Sequence, residues 1–146
     1  MPKFGKSSRA RLGTCHDDLQ TLCNEVVKVF DCTVICGYRG KEEQDLAVAK
    51  GNSKAKFPKG KHNGISGSPP SLAVDILPYP IDWKNTDRMT YFAGYMMATA
   101  EILFQEGKID HKLTWGRDWN NKWQRSNNNG TTFLDYPHFE LRKAKR

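Results

Sequence analysis

A chain of 146 residues holds one domain with a real core and is too short for two comfortable ones. At 38% apolar and 27% charged residues it is of the folded, soluble type rather than the disordered one, and no apolar run reaches membrane-spanning length. The formal net charge of +7 is densest at Lys3, Lys6, Arg9 and Arg11 and again at Arg142, Lys143, Lys145 and Arg146; it favours a polyanion such as nucleic acid, acidic lipid or an anionic cell wall, without naming one.

Residues 1–11 read as a loose basic arm, and 12–146 as the folded domain. The arm's basic residues are followed by no hydrophobic stretch, so neither a signal peptide nor an anchor is expected, and the chain is expected to start out in the cytoplasm. From Thr14 a helix is predicted, with Thr14 as cap, Asp17 and Asp18 in the first turn, and Leu19, Leu22, Val26, Val29 and Phe30 at helical spacing. Cys32–Cys36 reads as a buried strand running into Gly37-Tyr38-Arg39-Gly40, and Lys41–Lys50 as a short helix ended by Gly51-Asn52. All four cysteines (Cys15, Cys23, Cys32, Cys36) lie in the first quarter of the chain. Without a secretory signal they are expected as reduced thiols, mostly buried.

Residues 51–71 are rich in Gly, Ser, Asn, Lys and Pro and show no periodicity, which marks a long loop of the kind that often carries function. Leu72–Leu77 follows as a strand stopped by Pro78 and Pro80. Alternation places Leu72, Val74 and Ile76 on one face and Asp75 on the other. A carboxylate in so apolar a strand needs a metal or a basic partner, because an unpaired buried charge is costly. Asp87 caps a predicted helix over Arg88–Gln105, closed by Gly107, whose Met89, Met96 and Met97 read as core rather than cofactor contacts. Leu113–Gly116 reads as a strand, 117–130 as a polar loop, 131–134 as extended, and His138–Leu141 as a last strand after Pro137. Helices and strands are mixed without regular alternation, which makes the class α+β.

Four histidines are present, and His16 and His111 read as ordinary surface residues. His62 lies in the polar loop where packing does not call for an imidazole, and His138 opens the last strand. Asp75 and Asp135 each sit among apolar neighbours without a local basic partner. Two imidazoles and one carboxylate form the three-ligand set of a catalytic zinc site, which leaves a position for water. The helical HExxH motif is absent. Strand alternation puts Glu140 on the side of His138, whereas a turn at Tyr136-Pro137 would fold Asp135 back instead, so spacing leaves the base open between these two carboxylates.

Three motifs in order, Gly37-Tyr38-Arg39, His62 through Ser71-Leu72-Ala73-Val74-Asp75-Ile76, and Asp135-Tyr136-Pro137-His138-Phe139-Glu140-Leu141, resemble the VanY-type peptidoglycan peptidases. That family includes D-alanyl-D-alanine carboxypeptidases and phage endolysins that cut L-alanyl-D-glutamate bonds. The phage-type members are the nearer match, including the opening Leu12-Gly13-Thr14-Cys15-His16, and the likeness runs from about Leu12 to Leu141. It implies a small zinc peptidase of the D-Ala-D-Ala peptidase and Hedgehog-like type, with an antiparallel sheet flanked by helices. It also implies His62, Asp75 and His138 as zinc ligands, Asp135 as general base, Arg39 on the substrate or on its carbonyl oxygen, and Gln44 as a polar side chain near the substrate. Two departures concern the cleft: Gly60 stands where the family has a serine, and the interval from His62 to Asp75 is long.

The expectation is therefore a zinc metallopeptidase acting on bacterial peptidoglycan, a monomer held in the cytoplasm until released to the wall. L-Ala–D-Glu endopeptidase activity is the first reading and D-Ala-D-Ala carboxypeptidase the alternative. A non-catalytic zinc-containing wall-binding module is disfavoured by Asp135 beside all three ligands. A nucleic-acid-binding protein is disfavoured because Lys and Arg are dispersed or terminal rather than clustered with aromatics on one element.

Overall fold

The computed structural model describes residues 1–126 and 134–145. Among the described residues four α-helices and four strands run in the order α1 (Lys6–Leu12), α2 (Asp17–Val27), β1 (Cys32–Cys36), α3 (Lys41–Ala49), β2 (Ala73–Pro78), α4 (Thr86–Gln105), β3 (His111–Trp115) and β4 (His138–Lys143). The strands form one antiparallel sheet in the order β1-β2-β4-β3.

One face of this sheet carries the core. Val34, Val74, Ile76, Phe139, Leu141 and Leu113 pack against Leu19, Leu22 and Val26 of α2 and Phe92, Met96, Ala100 and Leu103 of α4. The helical residues recur every three or four positions, so each helix buries a single stripe. Burying an aliphatic or aromatic side chain of this size stabilises by about 1.5–3 kcal/mol, which makes this layer the main source of stability. Met89 and Met96 are buried as core residues, as expected. The alternate positions on β2 and β4, Asp75, His138 and Glu140, face the other way. The register sets Asp75 opposite both Cys36 and His138, placing three chemically active side chains in a row across adjacent strands.

Several local expectations change. The basic N-terminal segment is a folded element rather than a loose arm: Phe4, Ser8 and Leu12 are buried, and Ser8 Oγ accepts a hydrogen bond from the Val34 backbone N–H. His16, not Thr14, caps α2, its Nδ1 accepting from the Asp18 N–H, while Thr14 Oγ1 accepts from the Tyr38 N–H. Helix α2 ends at Val27, which leaves Val29 exposed, and only Phe30 turns inward, edge-on to Phe92 at 5.0 Å. Asn85 rather than Asp87 caps α4, accepting from the Arg88 N–H. His111 opens β3 and its Nδ1 lies 2.8 Å from Asp18 Oδ2, so it is a tie between α2 and the sheet rather than a bystander. The four cysteines are free, three of them buried. Of the predicted extended stretch 131–134, residues 131–133 lie outside the described residues, as do 127–130 of the polar loop.

Candidate active site

His62 comes from a single turn of 3-10 helix, Lys61–Asn63, inside the long polar loop. Three backbone bonds place that turn over the sheet: Arg39 N–H to His62 O, Leu72 N–H to Lys61 O, and Asn63 N–H to Gly60 O. Gly60 is buried, and a Cβ there would meet Asn63 Oδ1 at 2.7 Å, so a serine at this position would displace the Asn63 side chain. Gln44 is buried beneath the turn. Its amide donates to Ser53 Oγ and to the Ala55 carbonyl, and its Oε1 accepts from Asn63 Nδ2. It lines the cleft with both ends of its amide engaged inside the protein.

Three atoms converge at the base of the cleft. His62 Nε2 lies 3.1 Å from Asp75 Oδ1 and 3.2 Å from His138 Nδ1, and the last two lie 3.3 Å apart. A tetrahedral zinc with bonds of roughly 2.0–2.1 Å spaces neighbouring ligands roughly 3.3 Å apart, so this triangle has the dimensions of one face of such a site. The outer nitrogens set the tautomers. His62 Nδ1 donates to the Gly37 carbonyl at 2.8 Å, and His138 Nε2 donates to Glu140 Oε1 at 2.8 Å. In the neutral rings the inner nitrogens therefore present lone pairs, and three acceptors face one another with no donor among them.

Such a cluster demands positive charge. Burial would raise the Asp75 pKa, but the charge of His62 and the hydrogen bonds from both rings outweigh it and hold the carboxylate well below its usual range. Burial would lower His138, yet its bonds to Asp75 and Glu140 push it up to about 9. In the chain alone a proton on the ring meets the demand; a divalent cation would meet it at the same atoms. The donor set of two imidazoles and one carboxylate fits zinc.

Asp135 reaches the cluster through the turn at Tyr136-Pro137, its Oδ2 standing 4.0 Å from His138 Nδ1. Two backbone bonds clamp this turn to the end of β3, Asp135 N–H to Gly116 O and Gly116 N–H to His138 O. The approach is so close that a Cβ on Gly116 would lie 2.2 Å from the Asp135 carbonyl oxygen. Burial, and then the negative charge of Asp75, raise the Asp135 pKa to about 6, against the opposing pull of His138 and Arg39. Glu140 shares the strand face of His138, as alternation predicts, but it binds the far nitrogen and orients the ring. The two carboxylates thus take different sides of the ring: Asp135 lies on the inner side and Glu140 on the outer.

Arg39 lines the cleft on both sides of Asp135, and among the described residues no ion pair joins it to Glu42 or Glu43. Its Nε is buried and has no hydrogen-bond partner among the described residues. Trp119 lies against His138, ring centroids 5.5 Å apart, whereas Trp115 is buried and donates its indole N–H to the Tyr136 carbonyl. The contributions of the Gly37 carbonyl, Gly116 and Trp119 were not legible in the sequence, since each depends on contacts between distant segments. Only Glu140 carried a signal, its two-residue spacing from His138.

An antiparallel α+β scaffold carries a two-histidine, one-carboxylate cluster in a cleft, with a further carboxylate beside it, an arrangement of side chains that could hold a metal ion. The model of the phage L-alanyl-D-glutamate peptidase family matches residues 1–142, and the chain belongs to that family. Among solved structures, the L-Ala D-Glu endopeptidase ChiX of Serratia marcescens is similar in fold, with a TM-score of 0.64 at 20% identity over 96% of this chain and 90% of the other. A search of curated proteins returns no match.

Proposed function

We propose that the chain is a zinc-dependent phage endolysin that hydrolyses the L-Ala–D-Glu bond of the peptidoglycan stem peptide. The observation that carries this reading is the triangle of His62 Nε2, Asp75 Oδ1 and His138 Nδ1, three acceptors with zinc-like spacing and no donor between them, in a member of a peptidase family. These three residues would hold the ion. Bound zinc supplies Lewis-acid polarisation of the scissile carbonyl and acidifies water.

Asp135 is the general base. Its raised pKa suits a group that must accept a proton near neutrality and return it, here from the attacking water to the departing D-Glu amine. Arg39, whose buried Nε has no partner among the described residues, donates to the carbonyl oxygen as negative charge develops there, or to a substrate carboxylate. Glu140 and the Gly37 carbonyl hold the two rings in the required tautomers. Gln44 contributes to substrate binding by bracing the cleft wall. No helix among the described residues is long and apolar enough to cross a membrane, and the net positive charge favours the anionic wall.

The test is turbidity loss on purified peptidoglycan with mass spectrometry of the released fragments, using wild type, Asp135→Ala, and a chelated sample with and without added zinc. Cleavage between L-Ala and D-Glu that is lost on chelation, restored by zinc and absent in the variant is the expected result. Fragments ending elsewhere, or cleavage indifferent to chelation, would overturn it.

A further inference from the structure

The cleft has two lobes that share Arg39, Asn52 and Asp135. They are chemically unlike. The first, about 220 Å³, touches His62 and His138 and is lined by Lys54, Lys59 and Lys61 together with Trp119 and the Glu140 carboxylate. The second, about 520 Å³, touches Asp75, and among its described lining residues there is no lysine; Trp83 and Leu134 share its wall with Arg39, Asn52 and Asp135. Trp83 is 59% exposed on the segment joining β2 to α4, and Tyr79 and Ile81 on the same segment are exposed with it. Of these three, Trp83 lines the lobe, whereas Tyr79 lines a separate depression beside Lys3 and Lys6; a large exposed indole at the edge of a cleft is free to meet a ligand.

On the reading above, the scissile bond has unlike halves. On its carbonyl side a single L-alanine separates it from the muramic acid sugar, a ring with an apolar C–H face. On its amine side D-Glu, linked onward through its side chain, leaves its own α-carboxylate beside the cut. We infer that the cleft imposes one direction on the substrate: the D-Glu carboxylate lies in the lobe of Lys59 and Lys61, and the muramoyl sugar stacks on Trp83 in the other. The opposite direction would set a carboxylate beside Asp75 and Asp135 in a lobe whose described lining offers no lysine, and leave the sugar's apolar face among lysines. Arg39, at the junction, serves either half. Lys59 and Lys61 are specificity residues here, and Trp83 is a sugar platform one residue removed from the chemistry.

This inference rests on the peptidase reading, and the test separates the two. Rates are measured on a muramoyl-tripeptide, on the same peptide with an acetyl group in place of the sugar, and on a muramoyl-tripeptide whose D-Glu α-carboxylate is an amide. The proteins are the zinc-loaded wild type, Trp83→Ala, Trp83→Phe and the double variant Lys59→Ala, Lys61→Ala, with thermal midpoints confirming that these surface changes leave the fold intact. Trp83→Ala should lower kcat/KM about tenfold on the sugar-bearing peptides and leave the acetylated one within about twofold, while Trp83→Phe retains most of the rate. The lysine variant should lose about tenfold on substrates with the free carboxylate and little on the amide. If wild type cuts these peptides but Trp83→Ala slows all of them equally or none, or the lysine loss ignores the amide, the direction is wrong and the peptidase reading survives. If wild type cuts none of them, both fall.

Discussion

His138 Nε2 donates to Glu140 Oε1 at 2.8 Å, across two positions of a single strand, and this bond turns the other nitrogen of the ring towards His62 and Asp75. A partner of this kind fixes both tautomer and ring angle, and its removal typically costs about 10–100-fold in metal affinity. Glu140→Ala should therefore weaken zinc binding by about that factor in a competition titration with a chromophoric chelator. An unchanged affinity would mean that the ring is held by its other neighbours, the tilted Trp119 ring among them.

Asp135 should behave oppositely. It stands at the edge of the triangle, 4.0 Å from His138 Nδ1, and is not one of its corners. Asp135→Asn should lower kcat by about 10²–10⁴-fold while the protein still binds one equivalent of zinc, since general-base catalysis contributes on that scale. Loss of the metal along with the rate would make Asp135 a ligand instead.

Gly116 lets the chain pass within contact of Asp135, and a methyl group there would sit 2.2 Å from the Asp135 carbonyl oxygen. Gly116→Ala must push the 135–138 turn outward. Misplacement of a catalytic group by about 1 Å can cost about 100-fold in rate, and overpacking costs about 1–3 kcal/mol. The variant should show both losses, in kcat and in thermal midpoint. A rate loss far exceeding the stability loss would locate the effect at the base.

Away from the cleft, Asp18 Oδ2 accepts from the backbone N–H groups of Asp110 and His111 and from His111 Nδ1. Burial opposes its charge, but the His111 bond and the Asp110 N–H outweigh burial and lower its pKa. A depressed folded pKa contributes stability above the unfolded value of about 3.9 and loses it as pH falls through the folded value. Asp18→Asn should thus melt below wild type at pH 7, and the gap should close as the pH drops below about 4. A gap that persists in acid would assign the effect to packing.

The β1, β2 and β4 strands and the stripes of α2 and α4 were legible because burial leaves a period in the chain: 2 for Leu72, Val74 and Ile76, and about 3.6 for Leu19, Leu22 and Val26. Both N-caps were misplaced by two residues, Thr14 for His16 and Asp87 for Asn85, because several capping residues lie close together and local spacing does not choose among them. The N-terminal helix was missed because its apolar content is thin, and docking Phe4, Ser8 and Leu12 against β1 supplies what propensity does not.

For the site, the residue types alone established the candidates: His62, Asp75, Asp135 and His138 lacked a packing reason or a local partner, and Asp75 sat in a strand too apolar to hold a carboxylate unaided. What they do to one another was decided only in three dimensions. His62 and His138 are 76 positions apart, yet their inner nitrogens stand 3.2 Å apart. The β2–β4 register sets Asp75 opposite His138, and the Gly116 clamp turns Asp135 inward while Glu140 takes the outer nitrogen. Chemical type is a property of each residue and can be read in one dimension. Convergence depends on strand pairing and backbone approach between segments that no local interaction connects.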